Sequence, residues 1–271
     1  MNPIAVRYTL LWGAAAAGLA ILGVYTYRAE LALERSEFIT GYSLFAIMLM
    51  LALFNARKKL AMIPLMRSAY WLAFHVVGGA AAVVLFFIHT GSVWPTGGYE
   101  QALALVFYLV SLSGVFGYAV QRIQPRRLVQ TGYEIIFERI PAELAEIREK
   151  AEAEIRACTE ETGSDTLARH YMETLNWYFR RPRFFVNNAL GGDAGQHWLR
   201  NQYRTVNRYL NDAERVYLDR INELAQMKAK IDVHYACQSI MKNWLLVHLP
   251  LAAALLGLMF WHIIVVNVYA L

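Results

Sequence analysis

Five stretches of this 271-residue chain are apolar and long enough to cross a bilayer, at residues 4 to 27, 38 to 55, 69 to 90, 101 to 121 and 244 to 268. A hydrocarbon core about 30 Å thick takes roughly 20 helical residues. Lipid offers the backbone no hydrogen bonds, so such runs must satisfy their own amides as helices. The first run ends in Val24, Tyr25, Thr26, Tyr27 and Arg28 with no small-residue cleavage pattern, which reads as an uncleaved span rather than a signal peptide. Composition agrees, since 57% hydrophobic against 17% charged residues excludes an ordinary soluble globule.

Charge placement sets the expected topology. Arg57, Lys58, Lys59 and Arg67 lie between the second and third runs, Arg122, Arg126 and Arg127 follow the fourth, and Lys242 precedes the fifth. By the positive-inside rule these loops face the cytoplasm, with the N-terminus inside and Leu271 outside. The +5 net charge is thereby explained without a nucleic-acid partner. The expected location is a bacterial-type cytoplasmic membrane.

Between the fourth and fifth runs the composition changes abruptly. Residues 125 to 240 hold 34 of the 47 Asp, Glu, Lys and Arg residues. The predicted fold is therefore all-α: a five-span transmembrane bundle with a cytoplasmic helical domain inserted between spans four and five. Its parts are 1–124 with four spans, 125–240 as the soluble domain, and 241–271 with the fifth span. Leu144, Ile147, Ala151 and Ile155 mark one helix face there, and Leu210, Val216, Leu218 and Ile221 a less regular one. The half from Glu134 to Glu173 is acidic and that from Arg180 to Lys230 basic, which predicts antiparallel helices paired by charge. The stretch from Gln196 to Ser239 lacks Pro and Gly and reads as one helix entering the fifth span.

Four of the seven histidines fall inside predicted spans, where a polar side chain needs a reason. His75 and His89 are fourteen apart in the third, and His248 and His262 fourteen apart in the fifth. Fourteen residues advance a helix by about 3.9 turns and 21 Å, so each pair shares a face at two levels. The third and fifth spans run in the same direction in the expected topology, so His75 faces His248 near the inner surface and His89 faces His262 near the outer one.

A single membrane histidine commonly just hydrogen-bonds a neighbouring carbonyl, but two identically spaced, depth-matched pairs suggest a shared purpose. An imidazole at each axial position of an iron porphyrin is b-type haem ligation, suited to electron transfer. The expectation is two haem b groups, His75 and His248 holding the inner iron and His89 and His262 the outer. Gly78 and Gly79, just after His75, would admit the macrocycles. Zinc or copper fits less well, because no Cys, Asp or Glu stands nearby to complete a site.

The segments FHVVGGAAAVVLFFIH (Phe74 to His89) and HLPLAAALLGLMFWH (His248 to His262) resemble the dihaem b-type membrane cytochromes, which carry histidines about fourteen apart on two helices. The run Ser113-Gly114-Val115-Phe116-Gly117-Tyr118 looks like a helix-end sequence of small bacterial cytochrome b subunits. The chain departs from the large cytochrome b in having five spans instead of eight, a different helix order and no quinone-site tetrapeptide. The resemblance implies bis-histidine haems and transmembrane electron transfer.

Three functions compete on these residues. The first is an electron-transfer subunit of an oxidoreductase complex, linking a quinone pool or periplasmic carrier to a cytoplasmic-side partner, in a multi-subunit complex or homo-oligomer. The second is a quinone or ferric-chelate oxidoreductase using the same haems, and the third a haem-free membrane scaffold with a cytoplasmic interaction domain.

Other features have blander readings. His234 and Cys237, one helical turn apart, read as a solvated helix face, because two ligands without a third make no metal site. His170 and His197 read as ordinary surface or interface residues. Arg180, Arg181 and Arg183, followed by Phe184 and Phe185, form a basic and aromatic patch suited to lipid headgroups, an acidic partner or the acidic half of the domain. Arg67 and Lys242 read equally as topogenic charges and as partners for haem propionates.

Overall fold

A computed structural model describes residues 3–56 and 68–269, and among them every regular element is helical. Five helices are long and apolar enough to cross a membrane: α1 (Pro3–Leu31), α2 (Ser36–Ala56), α3 (Ser68–Thr90), α4 (Gly98–Gln130) and α10 (Asp212–Tyr269). Between α4 and α10 lie α5 (Ile140–Thr162), α6 (Thr166–His170), a π-helical turn (Tyr171–Leu175), α7 (Asn176–Phe179), α8 (Phe185–Leu190) and α9 (Ala194–Val206). Arg57, Lys58, Lys59 and Arg67 lie outside the described residues.

The described chain divides into two compact units. The first joins the residues up to Tyr118 to those from Leu245 onward, and the second is Ala119–Trp244. In the first unit, α1, α2 and α3 pack on one another, while α3 and α10 are not among the closely packed backbones. Its core is assembled from Leu44 and Met48 of α2, Leu85 and Phe86 of α3, Phe107 of α4 and Leu255 of α10, with Phe86 stacked on Phe107 at 4.3 Å between centroids. Outward faces carry large apolar side chains such as Leu112, Val115 and Ile264, as expected where hydrocarbon replaces water.

In the second unit, Leu144, Ile147, Ala151 and Ile155 of α5 do form one buried stripe. They meet Tyr178 and Phe179 of α7, Leu199 of α9 and Leu218, Ile221 and Ala225 of α10. Tyr217 bonds Glu161 and Arg220 pairs with Glu154, so α5 and the polar part of α10 run antiparallel. Val216 is half-exposed, and the buried face passes instead through Tyr217.

The stretch from Gln196 to Ser239 is not one helix. It breaks between Val206 and Asp212, because Asn211 starts a new helix with a reciprocal cap. The Glu214 amide donates to Asn211 Oδ1 at 2.8 Å, and the Asn211 amide donates to Glu214 Oε2 at 2.9 Å. From there α10 continues through Pro250 to Tyr269.

Candidate functional site

The four membrane histidines meet in two pairs. His75 of α3 faces His248 of α10 with ring centroids 6.5 Å apart and planes at 78°; His89 and His262 stand 6.4 Å apart at 85°. Two imidazoles on opposite sides of one metal, each at a metal–nitrogen distance of about 2 Å, place their centroids about 6.3 Å apart. The centroid separations of both pairs are close to that figure. Among the described residues no group of three or more His, Cys, Asp and Glu stands together, so no third ligand of these types joins either pair.

Each pair contains one ring whose Nδ1 is held by a hydroxyl. Ser113 Oγ lies 2.7 Å from His248 Nδ1 while donating its own proton to the Val110 carbonyl at 2.8 Å. Thr40 Oγ1 lies 3.0 Å from His89 Nδ1 and donates to the backbone carbonyls of Glu37 and Ser36 at 3.1 and 3.3 Å. A hydroxyl has one proton. Where that proton goes to the carbonyl, the oxygen accepts from Nδ1–H of the imidazole, which is the tautomer whose Nε2 carries the lone pair. An outer hydrogen bond of this kind at Nδ1 suits metal binding through Nε2.

The partner rings are set differently. His262 is stacked parallel to Tyr99 at 6.1 Å, and the Tyr99 hydroxyl is anchored on the Leu258 carbonyl of the same helix. Phe54 packs on His75 at 4.9 Å. The Leu51 backbone interacts with the His75 ring, yet His75 Nδ1 is buried and makes no hydrogen bond of normal geometry.

Small residues admit these rings. A Cβ on Gly41 would lie 2.9 Å from His89 Cε1, so only glycine lets α2 approach that imidazole so closely; one on Gly114 would lie 3.9 Å from His248 Cε1. Of the two glycines expected to make room for a cofactor, Gly78 faces Leu51 of α2, where a Cβ would lie 3.0 Å from its Cδ2. Gly79 has no atom within 4 Å of a Cβ position. Thr40, Gly41 and Tyr99 carry no signal in a sequence-only reading.

The remaining candidates are accounted for within the second unit. His234 and Cys237 are buried, not solvated: His234 bonds Thr131 Oγ1 at 2.9 Å and Gln238 Nε2 at 3.2 Å. Burial pushes the His234 imidazole below its usual range and the Cys237 thiol above it, as for core residues. His197 is exposed beside Asp193 at 3.0 Å, and His170 is half-buried with burial lowering its pKa. Lys242 pairs with Glu138 at 3.2 Å over the Phe137 ring. Compared with known proteins, the chain matches no family model, no curated protein and no solved structure.

Proposed function

We propose that this chain is a b-type membrane electron-transfer protein in which His75 with His248, and His89 with His262, hold two haem irons at two depths of the bilayer. The observation that carries the reading is the pair of imidazole separations, 6.5 and 6.4 Å, combined with a hydroxyl within hydrogen-bond distance of Nδ1 in one ring of each pair. Two protein ligands alone suit a metal that brings four equatorial donors of its own, as an iron porphyrin does. A haem in each pair would supply one-electron redox chemistry. His75, His248, His89 and His262 would hold the two groups, and Leu255, Met259 and their neighbours would keep the site apolar and dry.

The reading extends to topology and partners. The basic residues after α4 and around Lys242 support a cytoplasmic location for residues 125–240, with the N-terminus inside and the C-terminus outside. Electrons would pass between a quinone pool or periplasmic carrier and a cytoplasmic-side partner.

A reduced-minus-oxidised optical spectrum of the purified chain tests this directly. Two b-type haems per chain are expected; a colourless protein free of iron would overturn the reading in favour of a membrane scaffold.

A further inference from the structure

The short helix α8 is inverted in character. Its sequence FVNNAL carries two asparagines, which on a water-facing helix would point outward. Here both are turned inward by the loop's own hydrogen bonds: Asn188 Nδ2 donates to the Arg183 carbonyl at 3.1 Å, and Asn187 Oδ1 accepts from the Ala194 amide at 2.9 Å. The outward positions are Phe185, Val186 and Leu190, with Val186 68% and Leu190 74% exposed. An apolar cluster on a surface this rich in charge calls for a covering medium.

The helix is also tied to a defined place on the chain. Gln124 donates to the Ala189 carbonyl at 3.2 Å, and the Arg127 guanidinium donates to the carbonyls of Ala189 and, at 2.7 Å, Leu190. Gly191, at φ +83°, follows, and a Cβ there would lie 2.8 Å from Arg127 Nη2. The last turn of α8 is thus capped by side chains of α4. Arg127 is six residues beyond position 121, where the apolar run of α4 ends, a rise of about 9 Å. The headgroup layer is about 5–8 Å deep on each side, so α8 is held at its margin.

The exposed charges around α8 are mainly basic, with Asp193 in the turn that follows it, paired with His197, as the acidic exception. Arg126, Arg180 and Arg181 are exposed, and Arg183 stacks on Trp177 at 3.9 Å. Arginines around an apolar and tryptophan-bearing face match an anionic headgroup surface, where the ring and the aliphatic side chains enter the interface and the guanidinium groups meet phosphates.

We propose that α8 and the arginines beside it form a second membrane contact, in which Phe185, Val186 and Leu190 are seated in the anionic headgroup layer of the leaflet where α4 ends. This inference is independent of the haem reading. It gives the inserted domain a lipid-bound face in addition to its two covalent attachments, through α4 and α10. Each arginine near an anionic surface is worth about fivefold in the ratio of seated to lifted states.

The test uses the full chain in nanodiscs of phosphatidylglycerol, spin-labelled in turn at Val186→Cys and Leu190→Cys; both native cysteines are buried. Val115→Cys, on an outward apolar face of α4, and Tyr209→Cys, an exposed site on the second unit, serve as references. Seating predicts that labels at 186 and 190 are reached by oxygen and shielded from a water-soluble nickel chelate, like the label at 115. It also predicts that this shielding declines in phosphatidylcholine or when Arg180 and Arg181 are replaced by Glu. Chelate access equal to that at 209 in phosphatidylglycerol overturns the proposal. Shielding from both reagents overturns it too, because it would mean that a protein surface covers α8.

Discussion

At the residue scale, the pairing rests on hydroxyls as much as on histidines. The histidine spacing was legible because two equal intervals of fourteen are improbable by accident and helix geometry converts each into a shared face. The hydroxyls were not. A Thr or Ser in an apolar helix ordinarily bonds a carbonyl three or four residues back, and Thr40 and Ser113 do this; only the fold shows that their remaining lone pairs meet imidazoles. Removing such an outer partner typically costs 10–100-fold in metal affinity. Ser113→Ala should therefore weaken haem retention by His248 within that range and shift the low-spin EPR signal of the inner site alone, while Thr40→Val does the same to the outer site. Unchanged spectra and retention in both variants would remove the hydroxyls from the mechanism. Glycine gives a companion contrast: Gly41→Ala should displace His89, because its Cβ would need 2.9 Å, whereas Gly114→Ala at 3.9 Å is expected to leave the inner site intact. The two optical spectra of these variants, compared at equal protein, decide it.

At the scale of elements, α10 shows where sequence reading stops. Its apolar run and the stripe of α5 were visible as periodicity. The break before Asp212 was not, because an Asn followed three residues later by Glu sits in a stretch with no Pro or Gly, and only packing decides whether such a pair caps a helix or lies along one. Asn211→Ala removes the cap and should destabilise the first turn of α10 by about 1 kcal/mol, seen as faster amide exchange at Ala213 to Arg215 with little change beyond. Further along, still in the polar part of α10 and well short of its apolar run, Lys228 and Asp232 form a fully buried pair at 2.6 Å. Lys228 also donates to the Arg181 carbonyl and lies 3.9 Å over the Tyr178 ring. Burial pushes the carboxyl up to about 6 and the ammonium down to about 8, against the opposing pull of each on the other. Asp232→Asn strands a buried cation and should cost about 3–5 kcal/mol, more than the double replacement Lys228→Met with Asp232→Leu. The ammonium is lowered in the folded state from an ordinary 10.5. Between that value and about 8 the unfolded chain binds more protons at this site, so its contribution to stability rises with pH across the window. In Asp232→Asn the window opens at lower pH, and thermal melts at pH 7 and 9 should show the larger gain for the variant.

For the whole molecule, the change of composition over residues 125–240 and the compact unit Ala119–Trp244 concern the same stretch, but the side of a membrane proposed for it is argued from charge alone, and no helix geometry reports it. On the proposed haem reading, function at this scale depends on there being two levels rather than one. Each imidazole pair draws one member from α3 and one from α10, so each level can be removed singly. His89→Ala should leave one haem, at the inner pair, and His75→Ala one haem, at the outer pair, whereas replacing both histidines should leave none. If the two levels form a conduit, each single variant keeps a b-type spectrum yet loses transfer across the bilayer. The measurement is a sealed vesicle with ferricyanide inside and dithionite outside. The native chain should consume the enclosed oxidant, and both single variants should fall to the rate of vesicles without protein, even though each still becomes reduced from one side. A variant that holds a single haem and still carries electrons across at the native rate would separate the imidazole pairs from one another, and the second level would then need a purpose other than conduction.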